Sequence, residues 1–402
     1  MIVLVLNTGS SSVKYQVINP EEKKELAKGL VERIGMSGAI LTHLVTGGDE
    51  VRLSGEILDH KMAIEYVLSI LLSKNHGVIK KRSEIDAVGH RVVHGGEAFS
   101  DSVLISEEVM REMRKCIDYA PLHNPANLKG INAAQQLLPN VPQIGVFDTA
   151  FHQTMPRHAF LYGLPYVLYR RHGIRRYGFH GTSHRYVSEK AAEMMKQPIS
   201  ELKVITAHLG NGCSIAAING GRSIDTSMGF TPLEGLLMGT RCGDMDPAII
   251  LQIMNKEDLT QNDITTMLNK HSGLQGISGI SSDMREIEEE YKSNERARVA
   301  HDIFTYRLKK YIGGYAAALG GLDVLVFTGG IGENSAMVRK NASSGLEFMG
   351  IEIDDKKNTA KTKGFREINT QNAKVKCFVI PTNEELVIAL DTMMIVKQLQ
   401  KK

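Results

Sequence analysis

A chain of 402 residues is too long for one ordinary core and suits two domains of roughly 150–200 residues each. With 42% hydrophobic and 23% charged residues and no Trp, the composition is that of a folded globular protein and excludes disorder. Lys plus Arg at 48 against Asp plus Glu at 45 leaves a formal net charge of +3, too slight for a nucleic-acid footprint, so any basic function must be local.

The apolar run Ile2–Leu6 lacks a basic leader and is far shorter than a signal-peptide core or a membrane span, so the reading is a cytoplasmic protein without a membrane partner. The run is the first strand of a β-hairpin. Asn7-Thr8-Gly9-Ser10-Ser11-Ser12 makes a turn rich in small donors, and the alternating Val13, Tyr15 and Val17 make the return strand. Lys14 projects beyond the turn as a point charge for a phosphate. Residues 57–73 and 105–117 carry helical spacing, and Asn124-Pro125 predicts a capped helix over residues 127–138. Strands expected at 85–90 and 143–147 complete an α/β lobe with helices on a sheet.

The plan restarts at 203–218. An apolar strand ending in His208 runs into Leu209-Gly210-Asn211-Gly212-Cys213-Ser214 and then Ile215–Ile218. Two strand–turn–strand units predict two related lobes, each lending a backbone loop to one ligand, with a junction near residue 150. Further on come a long helix at 294–319, a strand from Val324 to Phe327, a Gly-rich turn, a helix after Glu333, a strand at 376–380 and a terminal helix from Glu384.

Small, amide-rich turns suit phosphate oxygens, and three are present: residues 7–12, residues 208–212, and Thr328-Gly329-Gly330-Ile331-Gly332-Glu333-Asn334-Ser335 between a strand and a helix. Each alone reads as a tight β-connection; together they point to a nucleotide. None is a Walker A motif, because Gly9 to Lys14 lacks the GxxxxGK spacing, and no protein-kinase HRD signature appears. Arg91 in Gly89-His90-Arg91-Val92-Val93-His94-Gly95-Gly96 and Arg241 in Gly239-Thr240-Arg241-Cys242-Gly243-Asp244 place guanidinium forks among glycines, a setting for carboxylate or phosphate. Asp148 ends an apolar strand, where it is a cation organiser or a helix cap. His180, in Tyr177-Gly178-Phe179-His180-Gly181-Thr182-Ser183-His184, reads as a hydrogen-bond donor to phosphate, and neighbouring histidines lack the spacing of a zinc site. Glu384 reads either as a site residue or as the cap of the last helix. Cys116, Cys213, Cys242 and Cys377 lack CxxC spacing and read as reduced thiols.

Taken together, these segments resemble the acetate kinase family of the acetate and sugar kinase, heat-shock protein and actin superfamily, with Phe147-Asp148-Thr149-Ala150-Phe151-His152, His208-Leu209-Gly210-Asn211-Gly212, Gly276-Ile277-Ser278-Gly279 and Asp283-Met284-Arg285 adding to the motifs above. The resemblance implies an α/β fold of two duplicated actin-like, ribonuclease H-like lobes, each a mixed sheet flanked by helices, with an active-site cleft between them. Residues 1–150 with the returning helix 385–402 would form the first lobe, on the acetate side, and 151–384 the second, on the nucleotide side. It implies reversible in-line transfer of the ATP γ-phosphoryl group to acetate, giving acetyl phosphate and ADP. A propionate or butyrate kinase, or a non-catalytic nucleotide-dependent switch, are the rival readings.

By the same resemblance, Arg91 and Arg241 hold the carboxylate and the phosphoryl group in transit, and His180 donates to the transition state. Asn7, Asp148 and Glu384 organise Mg2+, with Mn2+ as an alternative, and Asp148 is the residue usually assigned as acid/base. Val93, Leu122, Phe179 and Pro232 match the pocket for the acetate methyl. Lys14, His208, Leu209, Gly210, Asn211, Gly212, Asp283, Met284, Arg285, Gly330, Ile331, Gly332, Glu333, Asn334 and Ser335 match contacts to ATP or ADP. A homodimer is implied. Val13, Cys242 and Met245 depart from the family's usual residues, and the thiol of Cys242 beside Arg241 is a candidate point of alkylation.

Overall fold

The computed structural model describes every residue except Leu122, Lys363 and Lys402. The chain forms two compact units, Met1–Phe151 with Asn383–Lys402, and His152–Thr382. No helix among the described residues is long and apolar enough to cross a membrane.

The first unit is built on an eight-stranded sheet: β1 (Val3–Thr8), β2 (Ser12–Asn19), β3 (Lys24–Glu32), β4 (Ala39–Val45), β5 (Glu50–Gly55), β6 (Ala87–Val92), β7 (Val103–Leu104) and β8 (Gln143–Phe147), in the order β5-β4-β3-β2-β1-β6-β8-β7. Strands β1, β6 and β8 run parallel, and the others join antiparallel. Burial explains the order. Val3, Leu4, Val5 and Leu6 are at most 1% exposed, as a central strand covered on both faces requires. Outermost β5 keeps Glu50 and Arg52 in solvent, and charge on an edge discourages further pairing.

Helices His60–Leu71 and Asn124–Leu137 cover this sheet, the former capped by Asp59, which accepts from the Met62 amide. The second begins three residues earlier than the spacing predicts, because Pro125 fits the first turn, where no amide donor is needed. The terminal helix Glu384–Leu399 packs on β6 and β1. It approaches β6 closely at Gly89, where a Cβ would lie 2.6 Å from both Ile388 Cγ2 and Thr392 Oγ1.

The second unit is a six-stranded sheet: β9 (Lys203–Leu209), β10 (Cys213–Asn219), β11 (Arg222–Thr226), β12 (Val324–Thr328), β13 (Arg366–Glu367) and β14 (Lys376–Val379). Its order, β11-β10-β9-β12-β14-β13, has β9, β12 and β14 parallel and the rest antiparallel. This repeats the β3-β2-β1-β6-β8-β7 portion of the first sheet strand for strand. The long helix Glu295–Leu319 starts on the Asn294 side chain and ends at Gly320, whose φ of 65° suits a residue without Cβ.

One expected turn is a helix. Residues Gly329–Asn334 coil immediately after β12 because Gly329, at φ +76°, turns the chain sharply; a Cβ there would meet the Leu209 carbonyl oxygen at 2.7 Å. The following helix starts at Ala336, after Ser335, whose hydroxyl accepts from the Val338 amide. Strands β3 to β5 escape the sequence reading because their solvent-facing positions dilute the apolar alternation.

Candidate active site

In the first unit, three parallel strands end together and deliver three polar side chains, the usual place for a ligand in such sheets. Asn7 near the end of β1 pairs in register with Arg91 on β6, and Asp148 directly follows β8. Arg91 Nε donates to Asp148 Oδ1 at 3.0 Å and Nη2 to Oδ2 at 2.8 Å, a two-pronged pairing. Glu384 Oε2 lies 3.8 Å from Arg91 Nε. Burial opposes charge on Arg91, but the carboxylates of Asp148 and Glu384 outweigh it and raise its pKa. Burial raises the pKa of Glu384, against the pull of Arg91. The cap of the terminal helix is Asn383, which accepts from the Leu386 amide, so Glu384 is released from that role. The Asp148 carboxylate is held by Arg91.

Two asparagines read only as part of a helix start hold this site together. Asn127 donates to the Thr8 carbonyl at 2.9 Å and accepts from the Val93 amide at 3.1 Å, tying the hairpin turn to the loop after β6. Asn124 bonds both backbone groups of His94, at 3.2 and 3.0 Å. Their spacing of three places both on one helical face. A buried polar pair at that spacing was the signal available. His60 Nε2 lies 2.7 Å from the Gly9 carbonyl and braces the turn from outside. Lys14 is half exposed and ion-paired with Glu385.

In the second unit, His180 precedes helix Gly181–Met195 with φ 56°, and its ring stacks on His208 with centroids 4.2 Å apart. Arg241 Nη1 donates to the Pro232 carbonyl at 3.2 Å. No carboxylate among the described residues lies within ion-pair distance of Arg241, and burial lowers its pKa. Gly212 joins the two residues: a Cβ there would lie 3.4 Å from Arg241 Nη1 and 3.6 Å from His180 Cε1. The result is a desolvated cation, an imidazole and open backbone in one place, an arrangement that receives an anion.

Beside it is a pocket of about 630 Å³, within the range of small-ligand sites. Of the sequence-predicted nucleotide residues, Gly210, Asn211, Asp283, Met284, Arg285, Gly330, Ile331, Asn334 and Ser335 line it. His208, Leu209, Gly212, Gly332 and Glu333 do not, and Lys14 belongs to the other unit. Ser282 and Glu288 line the pocket without having been anticipated. Glu288 accepts from the Ser335 hydroxyl, and burial raises its pKa. Asp283 pairs with exposed Arg285, which holds its carboxyl down at about 2.

Of the four residues expected to form a methyl pocket, Phe179 is buried, Val93 and Pro232 are half-buried, and Leu122 lies outside the described residues. Burial pushes the Cys242 thiol up, against activation. Among the described residues no three His, Cys, Asp or Glu side chains cluster as a metal cage. The amide oxygen of Asn7 and the carboxylates of Asp148 and Glu384 are instead a hard-oxygen set of the kind that suits a divalent cation with few protein ligands.

A model of the acetokinase family matches residues 2–390. An acetate kinase of Clostridium kluyveri is 57% identical over 400 residues, covering 99% of this chain and 98% of that protein. Another, from Thermoanaerobacter pseudethanolicus, is 56% identical over 403 residues, covering 100% of each. Among solved structures, Porphyromonas gingivalis acetate kinase superposes with a TM-score of 0.95 at 51% identity, covering 98% of this chain and 99% of that one. A propionate kinase from Francisella tularensis superposes with a TM-score of 0.91 at 46% identity and the same coverage. These likenesses bear out the expected actin-like α/β fold with two lobes, each a mixed sheet flanked by helices. With more than half of its residues shared with such enzymes across nearly its whole length, the chain belongs to the acetokinase family.

Proposed function

We propose that this enzyme transfers the γ-phosphoryl group of ATP to acetate, reversibly and in line, giving acetyl phosphate and ADP. The observation that carries the reading is Arg241: a desolvated guanidinium without a carboxylate partner among the described residues, beside His180 and the open backbone of Gly212, next to a nucleotide-sized pocket. Phosphoryl transfer leaves little covalent work to a protein and consists mostly of placing charges and donors around the moving group.

Acetate is ionised at neutral pH, its acidity being close to that of a side-chain carboxyl, so the nucleophile needs no base. The difficulty is bringing one anion to another. Arg91 meets it at the acetate: Asp148 engages Nε and Nη2 and thereby fixes the plane of the guanidinium, while Nη1 is left to hold the acetate carboxylate. Asp148 is thus a positioning carboxylate and not a proton acceptor. Arg241 and His180 take the phosphoryl oxygens, and Gly210 to Gly212 with Gly330 and Ile331 present backbone to the nucleotide. Asn7, Asp148 and Glu384 would hold Mg2+, or Mn2+ in its place, directly or through water, and the ion would supply charge neutralisation of the phosphate oxygens. Val93, Phe179, Pro232 and Leu122 are assigned to the methyl group, and a homodimer acting in the cytoplasm completes the reading, both on the strength of the family resemblance.

Trapping the product with hydroxylamine tests the proposal. Acetate with ATP yields the hydroxamate, and propionate and butyrate do so with lower kcat/KM, since one methylene changes selectivity by about 1–3 kcal/mol in an apolar pocket. A preference for propionate would shift the assignment toward the activity named for the Francisella neighbour. No hydroxamate from any of the three acids would revive the non-catalytic switch.

A further inference from the structure

Behind His180 runs a file of buried side chains that the mechanism above does not use. His180 Nδ1 lies 2.9 Å from Ser214 Oγ, Ser214 Oγ lies 2.7 Å from His184 Nε2, and His184 Nδ1 lies 2.7 Å from Thr206 Oγ1. Ser214, His184 and Thr206 are all 0% exposed, so bulk water does not rearrange their protons. Thr206 and Ser214 lie on adjacent strands β9 and β10, and His184 projects onto them from the first turn of helix Gly181–Met195. The file therefore stands on two paired interior strands of the sheet.

Proton counting gives the file a direction. Burial, and next the neighbouring His152 and His208, keep His184 neutral, so it carries one ring proton for two partners. If that proton is on Nε2, it goes to Ser214, the Ser214 hydroxyl donates to His180 Nδ1, and the Thr206 hydroxyl donates to His184 Nδ1. Every proton then has an acceptor. In the opposite sense His184 donates to Thr206, and the Thr206 hydroxyl proton is stranded, because Thr206 Oγ1 makes no second hydrogen bond among the described residues. A buried donor without an acceptor is costly, which selects the first direction.

We propose that Thr206, His184 and Ser214 are positioning residues that set the tautomer of His180, making its Nδ1 an acceptor and placing its proton on Nε2. That nitrogen is on the catalytic side: a Cβ at Gly212 would lie 3.8 Å from His180 Nε2 and 3.4 Å from Arg241 Nη1. A neutral His180 so arranged presents an N–H to the phosphoryl oxygens without having to be protonated first. The role rests on the phosphoryl-transfer reading, whereas the tautomer does not.

The experiment is long-range 1H–15N NMR of the histidine rings in the full-length enzyme at neutral pH. The chain has 14 histidines, and the His180 signals are identified by their loss in His180→Gln. The wild-type spectrum should show a bare Nδ1 and a protonated Nε2 on His180. In Ser214→Ala the two tautomers should mix and kcat should fall about ten- to a hundredfold, with KM for ATP and acetate nearly unchanged, as when one transition-state donor is misplaced. A wild-type His180 carrying its proton on Nδ1 would overturn the proposal, as would Ser214→Ala with undiminished kcat. If that variant does not fold, the wild-type spectrum decides alone. Failure of the wild type to make any acyl phosphate would instead sink the catalytic reading.

Discussion

At the scale of residues, the two arginines assigned to the reaction are predicted to behave differently. Arg91→Leu and Arg241→Leu should each lose several kcal/mol of transition-state stabilisation in kcat/KM. Arg91→Leu also strands Asp148, 2% exposed, as a buried carboxylate without its partner, and should cost about 3 kcal/mol of stability. Arg241 has no carboxylate to strand among the described residues, so Arg241→Leu should melt at or above the wild-type temperature. Calorimetry on both variants checks this, and equal losses of stability would contradict it. A second residue-scale effect concerns pH. Burial lowers the pKa of both His90 and His152 from 6.5 to about 4. Below pH 6.5 the unfolded chain takes up protons that the folded chain refuses, so stability is complete above 6.5 and falls as pH drops toward 4. Each residue contributes a loss on the order of 3 kcal/mol across that window. The melting temperature should decline from pH 6.5 to 5, and less steeply in His90→Gln; a flat profile would contradict the assignment. Residue identity was legible in the sequence where chemistry is unusual, as with arginines set among glycines. It was not legible for Asn124 and Asn127, because an Asn near Pro at the head of a helical pattern also reads as part of a helix start.

At the scale of elements, two placements carry the site. The terminal helix holds Glu384 and rests on β6 only because Gly89 has no side chain. Gly89→Ala should push Ile388 and Thr392 outward, cost about 1–3 kcal/mol, and lower kcat through the displaced Glu384. Wild-type melting and activity would show that the helix does not need that contact. Helix Gly329–Asn334 is anchored from beneath by Arg339, 1% exposed, which donates to the carbonyls of Gly332 at 2.8 Å and Glu333 at 3.0 Å and to Asn358 at 2.7 Å. Arg339→Met should leave those acceptors unsatisfied at a cost of about 2–4 kcal/mol and raise KM for ATP more than KM for acetate. Equal changes in both KM values would count against the anchoring role. Glycine hid this helix from sequence reading: Gly329-Gly330-Ile331-Gly332 has poor intrinsic helix propensity, and buried hydrogen bonds from Arg339 in the next helix override it. The hairpins were legible because their turn residues and alternating apolar strands are local signals.

At the scale of the whole molecule, the six-strand pattern common to both sheets explains why duplication was visible at only one point in the sequence. The strand–turn–strand starts at residues 2–18 and 203–218 repeat in residue type as well as in structure. Elsewhere the units share strand order but not side chains, and the first unit adds β4 and β5 to its edge. Sheet order follows from which strands must be buried on both faces, and many apolar sequences satisfy that condition. The chemistry assigned to the fold depends on a phosphoryl group passing to a carboxylate, and 31P NMR of the purified enzyme with ATP, Mg2+ and acetate observes this most directly. The account predicts growth of an acetyl phosphate resonance in step with ADP, with no inorganic phosphate formed at the same rate. Conversion of ATP to ADP and inorganic phosphate alone, or no change in ATP, would contradict it.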